Sequence, residues 1–330
     1  MYNYTMKVAL VMPPLGRHAA RGIGFYSDRL FKALSSKIRV EQIKFSLIAP
    51  SGFDIVHYPF FDLFWPTFPP VRFTKTIVTL HDLTPLKFPQ HFPLGRRAKI
   101  VWPWQKLLLR QVDAVLTDSY CSKNDITEIV GSEIANKVYV THLAADPVFK
   151  PLNLKREEFV LYVGGANWNK NALSLVKACQ KIKMPLVLVG KEFTQRPVKH
   201  IETDSLGEIQ KLIQNDRNVT VKGFVETKEL VKLYNLAKVY VQPSIYEGFG
   251  LPVLEAMACG TPVICGNNSS IVEIAGDAAT FADVTNADML ATAITDIKPT
   301  GSEVDQAKKF TWEKTAEETI KVYEKVLGKV

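Results

Sequence analysis

The sequence predicts an α/β protein built from two doubly wound domains. Short runs of β-branched and other apolar residues alternate with longer amphipathic stretches, which is the pattern of βα units on a parallel sheet. The series of runs begins once in each half of the 330-residue chain, and this length is enough for two ordinary domains. With 47% apolar and 22% charged residues, the composition is that of a globular protein and excludes a disordered one.

Five candidate strands lie in each half of the chain. The candidates in the first half are Lys7–Met12, Ile55–Tyr58, Ile77–Leu80, Ala114–Thr117 and Lys137–Thr141. Those in the second half are Phe159–Val163, Leu186–Val189, Val219–Lys222, Val239–Gln242 and Pro262–Cys265.

The boundary between the two series is predicted near residue 150. Pro147, Pro151 and Asn153 break any regular element there. We therefore expect one domain over residues 1–150 and a second over residues 151–310.

The end of the chain, residues 311–330, is predicted to hold one closing helix. Glu317 and Lys321 form a favourable i,i+4 pair on it. Apolar residues recur at helical spacing at Trp312, Ala316, Ile320, Tyr323 and Leu327.

The net charge of +8 comes entirely from the first half of the chain. Residues 1–150 carry 19 Lys and Arg against 11 Asp and Glu, whereas residues 151–330 carry 22 of each. Such an excess attracts phosphates, anionic lipid or nucleic acid, or is simply a solvated surface. The basic residues are scattered without a recognised nucleic-acid-binding motif, which argues against nucleic acid as a partner.

Four widely spaced cysteines form no C-x-x-C pair, which argues against a zinc site or a disulfide framework and favours a reducing compartment. No apolar run approaches the length needed to span a bilayer. The apolar run near the N-terminus is followed too soon by Pro13, Pro14 and Arg17 for a signal peptide, so a buried strand is the better interpretation. We expect a cytoplasmic protein.

The most informative string runs from Tyr246 to Ile264 and predicts a loop, a short helix and a strand. Pro252 suits the first helical position, and Gly260 suits the helix exit. Amides at the loop-to-helix junction should then lie at a helix N-terminus, where anions and hydroxyl oxygens bind well. Those junction residues are Gly248, Phe249, Gly250 and Leu251.

One glutamate stands on each side of this junction. Glu247 comes just before it and Glu255 one turn into the helix. Two acceptors that flank a set of donors suit a ligand with both sugar hydroxyls and phosphates. The alternative is that Glu255 only gains about 0.3–1 kcal/mol from the helix dipole, with no ligand.

These residues resemble the glutamate signature of retaining GT-B glycosyltransferases of family four, in which seven residues separate the two glutamates. The likeness continues through Ser270–Ala279, with Val272 where a proline is common, and Phe310–Ala316 resembles the start of that family's closing helix. The resemblance implies two Rossmann-like doubly wound domains facing across a cleft. The N-terminal domain would be on the acceptor side with the closing helix packed on it, and the C-terminal domain would bind the nucleotide-sugar donor.

Gly22 and Gly24 follow the first strand and open a predicted helix through about Ser35. Glycines let backbone amides approach a phosphate. Ser27 stands where a dinucleotide fingerprint would have its third glycine, which counts against NAD. The segment resembles the glycine loop that family-four enzymes present to the donor pyrophosphate and the acceptor.

His81 and Asp82 come directly after a predicted strand, at the end that faces the ligand in parallel sheets. The string His81–Leu86 resembles the H-D-x-x-P-L segment of bacterial mannosyltransferase-like members. That resemblance implies that His81 contacts the transferred sugar at its 6-hydroxyl. Asp82 either orients His81 or caps the next turn.

The segment Gly164–Asn171 follows the first strand of the second half. In many relatives an arginine and a lysine here clamp the pyrophosphate. Lys170 fits the lysine position, but Gly165 stands where the arginine would be. The missing cation is either absent or supplied by Lys191 or Arg196.

Further donor contacts follow from the same resemblance. Lys222–Val225, with Phe224 and Val225 at its end, looks like the segment whose backbone meets the nucleotide base. Gly190 and Lys191 would lie beside the base, and Leu230 below the ribose.

The stretch Tyr58–Phe68 is too rich in proline for a helix and too aromatic for an ordinary solvated loop. Basic and aromatic residues then interleave between Arg96 and Arg110. Together these could rest on an anionic membrane surface on the cytoplasmic face, bind a lipid-linked or aromatic acceptor, or pack in a core.

The resemblance implies a metal-independent hexosyltransferase that acts in cell-surface polysaccharide or glycolipid synthesis. GDP-mannose is favoured as the donor, a UDP-hexose remains open, and the acceptor is a glycan or a lipid-linked glycan. Glu247, His81 and Lys170 are the predicted catalytic residues, with Glu255 on the ribose diol. The alternatives are a sugar-nucleotide epimerase and a non-catalytic GT-B protein that binds nucleotide sugars. No cofactor and no metal are expected.

Overall fold

The computed structural model describes residues 6–14, 22–67, 69–196 and 204–329. The chain forms two compact units, each with its own six-stranded sheet. The first unit holds the described residues up to Pro89, then Pro93–Leu143, and then those from Thr311 onward. The second unit holds Ala144–Phe310 together with Gln90–Phe92.

The first unit contains an entirely parallel sheet in the order β2-β1-β3-β4-β5-β6. Its strands are β1 (Lys7–Met12), β2 (Arg39–Lys44), β3 (Ile55–Tyr58), β4 (Lys75–Thr79), β5 (Ala114–Thr117) and β6 (Val138–Val140). The chain order reverses between β1 and β3, so this is a doubly wound sheet with a topological switch point.

Helices connect these strands. They are α1 (Gly22–Ser35), α2 (Thr84–Lys87), α3 (Arg96–Arg110), α4 (Tyr120–Val130) and, at the end of the chain, α12 (Trp312–Val326). Leu108 and Leu109 of α3 and Ile126 of α4 pack on one face of the sheet in a buried core. The closing helix α12 contacts α1, as expected, and Thr311 caps its N-terminus by accepting a hydrogen bond from the Lys314 amide.

The second unit contains a parallel sheet in the order β12-β11-β10-β7-β8-β9. Its strands are β7 (Glu157–Val163), β8 (Leu186–Val189), β9 (Val219–Lys222), β10 (Ala237–Gln242), β11 (Val263–Gly266) and β12 (Thr280–Ala282). Counted from β7, this is the 3-2-1-4-5-6 order of a Rossmann sheet, whose switch point lies between β7 and β10.

Helices cover both faces of this second sheet. They are α5 (Ala172–Lys181), α6 (Asp204–Ile213), α7 (Thr227–Leu236), α8 (Leu251–Ala258), α9 (Ile271–Ala275), α10 (Ala287–Asp296) and α11 (Glu303–Ala307). One buried core contains Leu175 of α5 and Leu290 of α10. The core on the other face of the sheet contains Tyr234 of α7 and Val253 of α8. The predicted α/β class with two doubly wound sheets is confirmed.

The two strands that the sequence pattern does not predict, β2 and β12, are both edge strands. Strands buried on both faces are apolar runs, whereas an edge strand is half exposed and polar. β2 has the sequence RVEQIK and no fully buried residue, and β12 has only three residues.

Gln90–Phe92 lies in the first half of the sequence but belongs to the second unit. The His91 ring stacks on the Trp168 indole, with centroids 3.6 Å apart and the ring planes 7° from parallel. Phe92 meets the same indole edge-on at 6.4 Å. A segment from the first series of βα units therefore becomes part of the second unit.

Candidate active site

The carboxyl ends of β7 and β10 meet at the switch point of the second sheet, where open α/β sheets bind ligands. The segment after β7 carries Gly164, Gly165 and Lys170. The segment after β10 carries Glu247 and leads into α8. The fold thus brings together residues that are about 80 positions apart in the sequence.

Lys170 lies in a short 3-10 turn, Trp168–Lys170. The neighbouring Asn169 ties this turn to the segment after β10: its carbonyl accepts from the Ile245 amide at 2.8 Å, and its side-chain amide donates to the Tyr246 carbonyl at 3.0 Å. The position of Lys170 relative to Glu247 is therefore fixed by the backbone.

Glu247 is 7% exposed, and its carboxylate is held by three side chains. Lys170 Nζ donates to Oε1 at 2.7 Å and to Oε2 at 2.8 Å. Gln242 Nε2 donates to Oε1 at 2.7 Å, and Ser244 Oγ donates to the same oxygen at 2.6 Å. A buried carboxylate needs such partners, because leaving it unpaired costs several kcal/mol.

The hydrogen bonds continue behind Glu247. Gln242 Nε2 also donates to Ser244 Oγ at 2.6 Å, and the buried Tyr240 hydroxyl donates to Gln242 Oε1. Since Tyr240, Gln242 and Ser244 are all buried, the carboxylate is held in one orientation from behind. Among the described residues, Oε1 accepts hydrogen bonds from Lys170, Gln242 and Ser244, whereas Oε2 accepts one from Lys170.

The loop-to-helix junction forms where it was predicted, but the helix begins one residue before Pro252, which was expected at the first helical position. Helix α8 begins at Leu251 after Gly250, whose φ of +107° is in the left-handed region. Pro252 is in its first turn, and Gly260 follows its end with a φ of +70°. The buried Ser270 Oγ lies 2.9 Å from both the Glu247 and the Phe249 carbonyl oxygens, and its single O–H is shared between them, which holds the loop in place.

Phe249 is buried against Phe310, with ring centroids 6.2 Å apart, so its side chain is a packing anchor. Gly248 and Gly250 precede the helix as predicted. Whether the amides of Gly248–Leu251 meet a ligand stays a prediction.

Glu255 has different surroundings from Glu247. Its Oε2 accepts a hydrogen bond from the buried Tyr234 hydroxyl at 2.9 Å, and no cation pairs with it among the ion pairs of the described residues. Burial raises the pKa of Glu255 to about 7; the Tyr234 hydrogen bond lowers it, and the charge of Asp146 adds to the rise. Near neutral pH this carboxyl is therefore partly protonated.

A carboxylate occupies the space at Gly165, the position for which the family resemblance predicts an arginine. A Cβ at Gly165 would lie 2.9 Å from Glu192 Oε2, which accepts a hydrogen bond from the Ala166 amide at 2.7 Å. A Cβ at Gly190 would lie 2.1 Å from the Gly164 carbonyl oxygen, so only glycine fits there. Lys191 and Arg196, the two proposed substitutes for the arginine, are both exposed.

The predicted base and ribose residues differ in exposure. Phe224 is 82% exposed just beyond β9. Val225 and Leu230 are partly buried and pack against the core formed around Tyr234. Their contacts with a nucleotide stay predictions.

In the first unit, Gly22 and Gly24 belong to the first turn of α1. Residues 15–21, which precede them in the sequence, lie outside the described residues. A Cβ at Gly22 would have nothing within 4 Å, so steric crowding does not require this glycine.

His81 lies beyond the carboxyl end of β4, where it was expected. Its Nδ1 is 2.6 Å from Asp118 Oδ2, and Asp118 follows the neighbouring strand β5. Of the two roles open for Asp82, the structure shows the cap: its Oδ1 accepts from the Thr84 amide at 2.9 Å. The orienting carboxylate is Asp118.

The sequence prediction did not include Asp118, Tyr234, Gln242 or Ser244. A signal existed for Asp118, because it directly follows a predicted strand, as His81 does. Gln242 and Ser244 similarly follow or end a predicted strand. Tyr234 is inside a helix, and nothing local in the sequence indicates its contact with Glu255.

Comparison with known proteins agrees with this geometry. Residues 146–323 match the family described as "Glycosyl transferases group 1", which is more than half of the chain. Residues 12–148 match "Glycosyltransferase Family 4".

Among characterised proteins, the chain is similar to O-antigen chain mannosyltransferase B of Escherichia coli, with 30% identity over 283 residues that cover 77% of this chain and 71% of that protein. It is 29% identical over 224 residues to the serotype-specific mannosyltransferase WbdA of Escherichia coli, covering 61% of this chain but about a quarter of that protein. It is 28% identical over 257 residues to an MMP alpha-(1->4)-mannosyltransferase of Mycolicibacterium hassiacum, covering 72% of this chain and 60% of that protein.

Among solved structures, sucrose-phosphate synthase from Thermosynechococcus elongatus aligns with a TM-score of 0.77 at 22% identity, covering 98% of this chain and all of that one. Anabaena HepE in complex with UDP and glucose aligns with a TM-score of 0.70 at 16% identity, covering 97% and 99%. At these identities the structural matches establish the fold, and the family matches establish the membership. The chain belongs to the glycosyl transferases group 1 and is a glycosyltransferase of family four with a GT-B fold.

Proposed function

We propose that the protein is a retaining, metal-independent hexosyltransferase that moves mannose from GDP-mannose to a glycan or lipid-linked glycan. Its place would be in the synthesis of a cell-surface polysaccharide or glycolipid. Three relatives named above are mannosyltransferases, and two of them make O-antigen or serotype-specific products by their names. We propose that this chain transfers mannose as well.

The observation that supports it most is the Lys170–Glu247 pair at the switch point of the second sheet. A cation there can bind the diphosphate of a nucleotide sugar. A carboxylate held by Gln242 and Ser244 can accept from a sugar hydroxyl beside it. Both groups are preorganised by buried hydrogen bonds, which is what catalysis by charge stabilisation requires.

The proposed roles of the site residues follow from where charge develops during the transfer. When the bond between the sugar and the diphosphate breaks, the diphosphate gains negative charge, which Lys170 and the amides at the start of α8 would stabilise. Glu247 would hold the sugar, at the 3-hydroxyl, and Glu255 the ribose diol. We assign the 6-hydroxyl of the sugar to His81, by the family resemblance.

Both glutamates are occupied with hydroxyls in this scheme, so neither serves as a covalent nucleophile. The acceptor hydroxyl would attack the anomeric carbon from the face that the diphosphate leaves, and the leaving phosphate oxygen would take its proton. This gives retention of configuration without a double displacement. Lys170 supplies the positive charge, so we expect transfer to persist in excess EDTA.

The names of the mannosyltransferase relatives support mannose as the sugar. The resemblance of His81–Leu86 supports GDP-mannose as the donor, whereas HepE was solved with UDP and glucose. Phe224 and Val225 are the residues that we expect to meet the base, and neither distinguishes guanine from uracil.

A donor panel tests the proposal. Purified protein is incubated with GDP-mannose, UDP-glucose and other GDP- and UDP-hexoses, and nucleotide release is followed with the Glu247→Ala variant as a control. Release of GDP from GDP-mannose with a retained anomer in the product supports the proposal. An inverted anomer would contradict the retaining mechanism, an epimerised donor would indicate an epimerase, and binding without turnover would indicate a non-catalytic protein.

We further propose that the first unit rests on an anionic membrane surface on the cytoplasmic face. Within the part of the chain that the structure describes, no helix is both long enough and apolar enough to cross a bilayer. Three large apolar side chains are nevertheless exposed on α3: Ile100 is 76% exposed, Leu107 56% and Trp104 37%.

The spacing and charge of α3 support membrane contact. Ile100, Trp104 and Leu107 are four and three residues apart, so they form one helical face. Exposed Arg96 and Lys99 stand beside this face, and the first half of the chain carries the whole net charge. The aromatic residues that follow Tyr58 differ in exposure. Phe60 is buried, whereas Phe64 and Trp65 are exposed, and the Arg97 guanidinium lies over the Trp65 ring.

Sedimentation with vesicles tests the membrane contact. The protein should bind vesicles rich in phosphatidylglycerol at low salt, and Ile100→Ser with Leu107→Ser should reduce the bound fraction at least about tenfold. Met289→Ser, which changes an exposed apolar residue of the second unit, is the matched control. Absence of binding at low salt, or equal loss in both variants, rules the contact out.

A further inference from the structure

Asp118 and His81 form a close pair in the first unit. Each follows a strand, β5 and β4, and these strands are neighbours in the sheet, so their carboxyl ends place the two side chains side by side. His81 Nδ1 and Asp118 Oδ2 are 2.6 Å apart, which is short for a hydrogen bond of this type. Asp118 is 3% exposed.

The outer atoms of this pair have no hydrogen-bond partner in the described part of the chain. These atoms are His81 Nε2 and Asp118 Oδ1, and both are buried. Buried polar atoms almost always have partners, and exceptions indicate a site for a ligand or for water. Two buried hydroxyls at the same edge of the sheet, those of Thr117 and Thr141, have no partner either.

The imidazole ring is also fixed by packing. The Tyr26 ring of α1 meets it edge to face, with centroids 4.7 Å apart. Tyr26 is itself held by a 3.0 Å hydrogen bond between its hydroxyl and Thr79 Oγ1 at the end of β4. Nδ1 is bonded and the ring face is covered, so Nε2, which faces the Pro59 carbonyl without a hydrogen bond of normal geometry, is the atom that His81 can offer to a ligand.

Several groups decide the charge of His81. Burial disfavours the imidazolium, but the charge and hydrogen bond of Asp118 outweigh burial and raise the pKa of His81, with Asp82 and the Pro59 carbonyl adding to the rise. His57 on β3 stays neutral, because burial lowers its pKa to about 3. His142, after β6, faces Asp118, as does Tyr26, whose pKa is raised by burial.

We propose that Asp118 is a positioning residue, which holds His81 with a proton on Nδ1 so that Nε2–H donates a hydrogen bond to an oxygen of the sugar or its phosphate. This inference rests on the proposed function and adds to it a residue that the family resemblance did not supply. The imidazolium is the active form, since only it is a donor at both nitrogens.

Two substitutions test whether the Asp118 carboxylate, rather than any negative charge near the ring, controls His81. Asp118→Asn keeps an acceptor for Nδ1–H but removes the charge, so the pKa of the buried His81 should fall below its ordinary value. Asp82→Asn is the matched control: it removes an equal charge near the ring, but asparagine can still cap the turn.

Histidine NMR tests the pairing without any need for turnover. Protein labelled with 15N at histidine is titrated, and His81 is identified as the resonance that is lost in His81→Gln. In the unmodified protein we expect a titration midpoint above the ordinary histidine value. We expect that midpoint to fall by at least about one pH unit in Asp118→Asn and to change far less in Asp82→Asn.

Activity gives the second measurement. Since the imidazolium is required, kcat/KM should fall as the pH rises through the His81 midpoint. Asp118→Asn should move this falling limb to lower pH, cost about 10- to 100-fold in kcat/KM at pH 7.5 and recover at pH 5.5. A purely structural role for Asp118 would lower activity equally at every pH.

The results distinguish the two proposals. An unchanged His81 midpoint in Asp118→Asn overturns the positioning role, even if the enzyme transfers mannose. A lowered midpoint with no turnover on any donor keeps the His81–Asp118 coupling and instead contradicts the proposed function.

Discussion

Glu255 and Glu247 are eight positions apart in the sequence but differ in what compensates their charge. Glu247 has a cation, an amide and a hydroxyl within 2.8 Å. Glu255 has one tyrosine hydroxyl. Among the described residues no cation pairs with Glu255, so removal of its carboxylate from water is not compensated by a positive charge and raises its pKa to about 7.

This difference predicts a pH dependence of donor binding. The ionised Glu255 accepts hydrogen bonds from a ribose diol better than the protonated form, so affinity for GDP should increase from pH 6 to pH 8. Over this interval the ionised fraction increases about tenfold for a pKa near 7. Calorimetric titration at both values measures the change.

Glu255→Gln is the reference for this experiment, because it removes the titrating carboxyl while His81 and the nucleotide ionise as before. Tyr234→Phe removes the hydrogen bond that favours the charged form, so it should shift the increase to higher pH. An identical pH dependence in Glu255→Gln and the unmodified protein would show that Glu255 does not titrate on binding.

At the scale of elements, the start of α8 depends on one glycine. Gly250 has a φ of +107°, and a Cβ there would lie 2.6 Å from Ile271 Cδ1 on α9. Gly250→Ala should therefore destabilise the protein by about 1–3 kcal/mol through backbone strain and crowding. Thermal unfolding measures this loss.

Gly207→Ala is the control for the same chemical change. Gly207 is inside α6, and a Cβ there would have nothing within 4 Å. Alanine should therefore be neutral or stabilise this helix by up to about 1 kcal/mol. Equal effects of the two substitutions would contradict the account of the α8 junction.

Strands and helices were predictable where their buried residues give the sequence a run or a periodic spacing of apolar residues. All ten predicted strands overlap strands of the structure, and the predicted helix exit at Gly260 is confirmed, since α8 ends at Ala258 and Gly260 follows with a positive φ. β2 was missed because Arg39, Glu41 and Lys44 give an edge strand a polar sequence. The predicted strand near Ile77 begins earlier than expected, at Lys75, because Lys75 and Thr76 are polar although β4 is a central strand.

The site was predictable where one local string carries it, as for Glu247 and Glu255. Contacts that depend on strand order were not predictable. Asp118 meets His81 only because β5 lies beside β4, and the Glu192 carboxylate occupies the space at Gly165 only because β8 lies beside β7. Neither adjacency is visible in the residues themselves.

At the scale of the whole molecule, the two units carry different chemistry. The second contains the Lys170–Glu247 pair and the α8 junction, and the first contains the His81–Asp118 pair and the exposed face of α3. The uneven charge follows the same division, since the excess of basic residues lies in residues 1–150. The chain contributes Gln90–Phe92 of its first half to the second unit, which no composition boundary indicates.

The central claim is that the second unit binds the diphosphate of a nucleotide sugar at Lys170. Calorimetric titration of GDP into the unmodified protein, Lys170→Ala and Lys177→Ala tests it most directly. Lys177 is a lysine of the same unit in an exposed pair with Glu208, so its loss controls for a general change of charge. We predict that Lys170→Ala weakens GDP binding at least about tenfold, as expected for a lost charge-assisted contact, while Lys177→Ala leaves it unchanged. Equal affinity in all three proteins would contradict the claim.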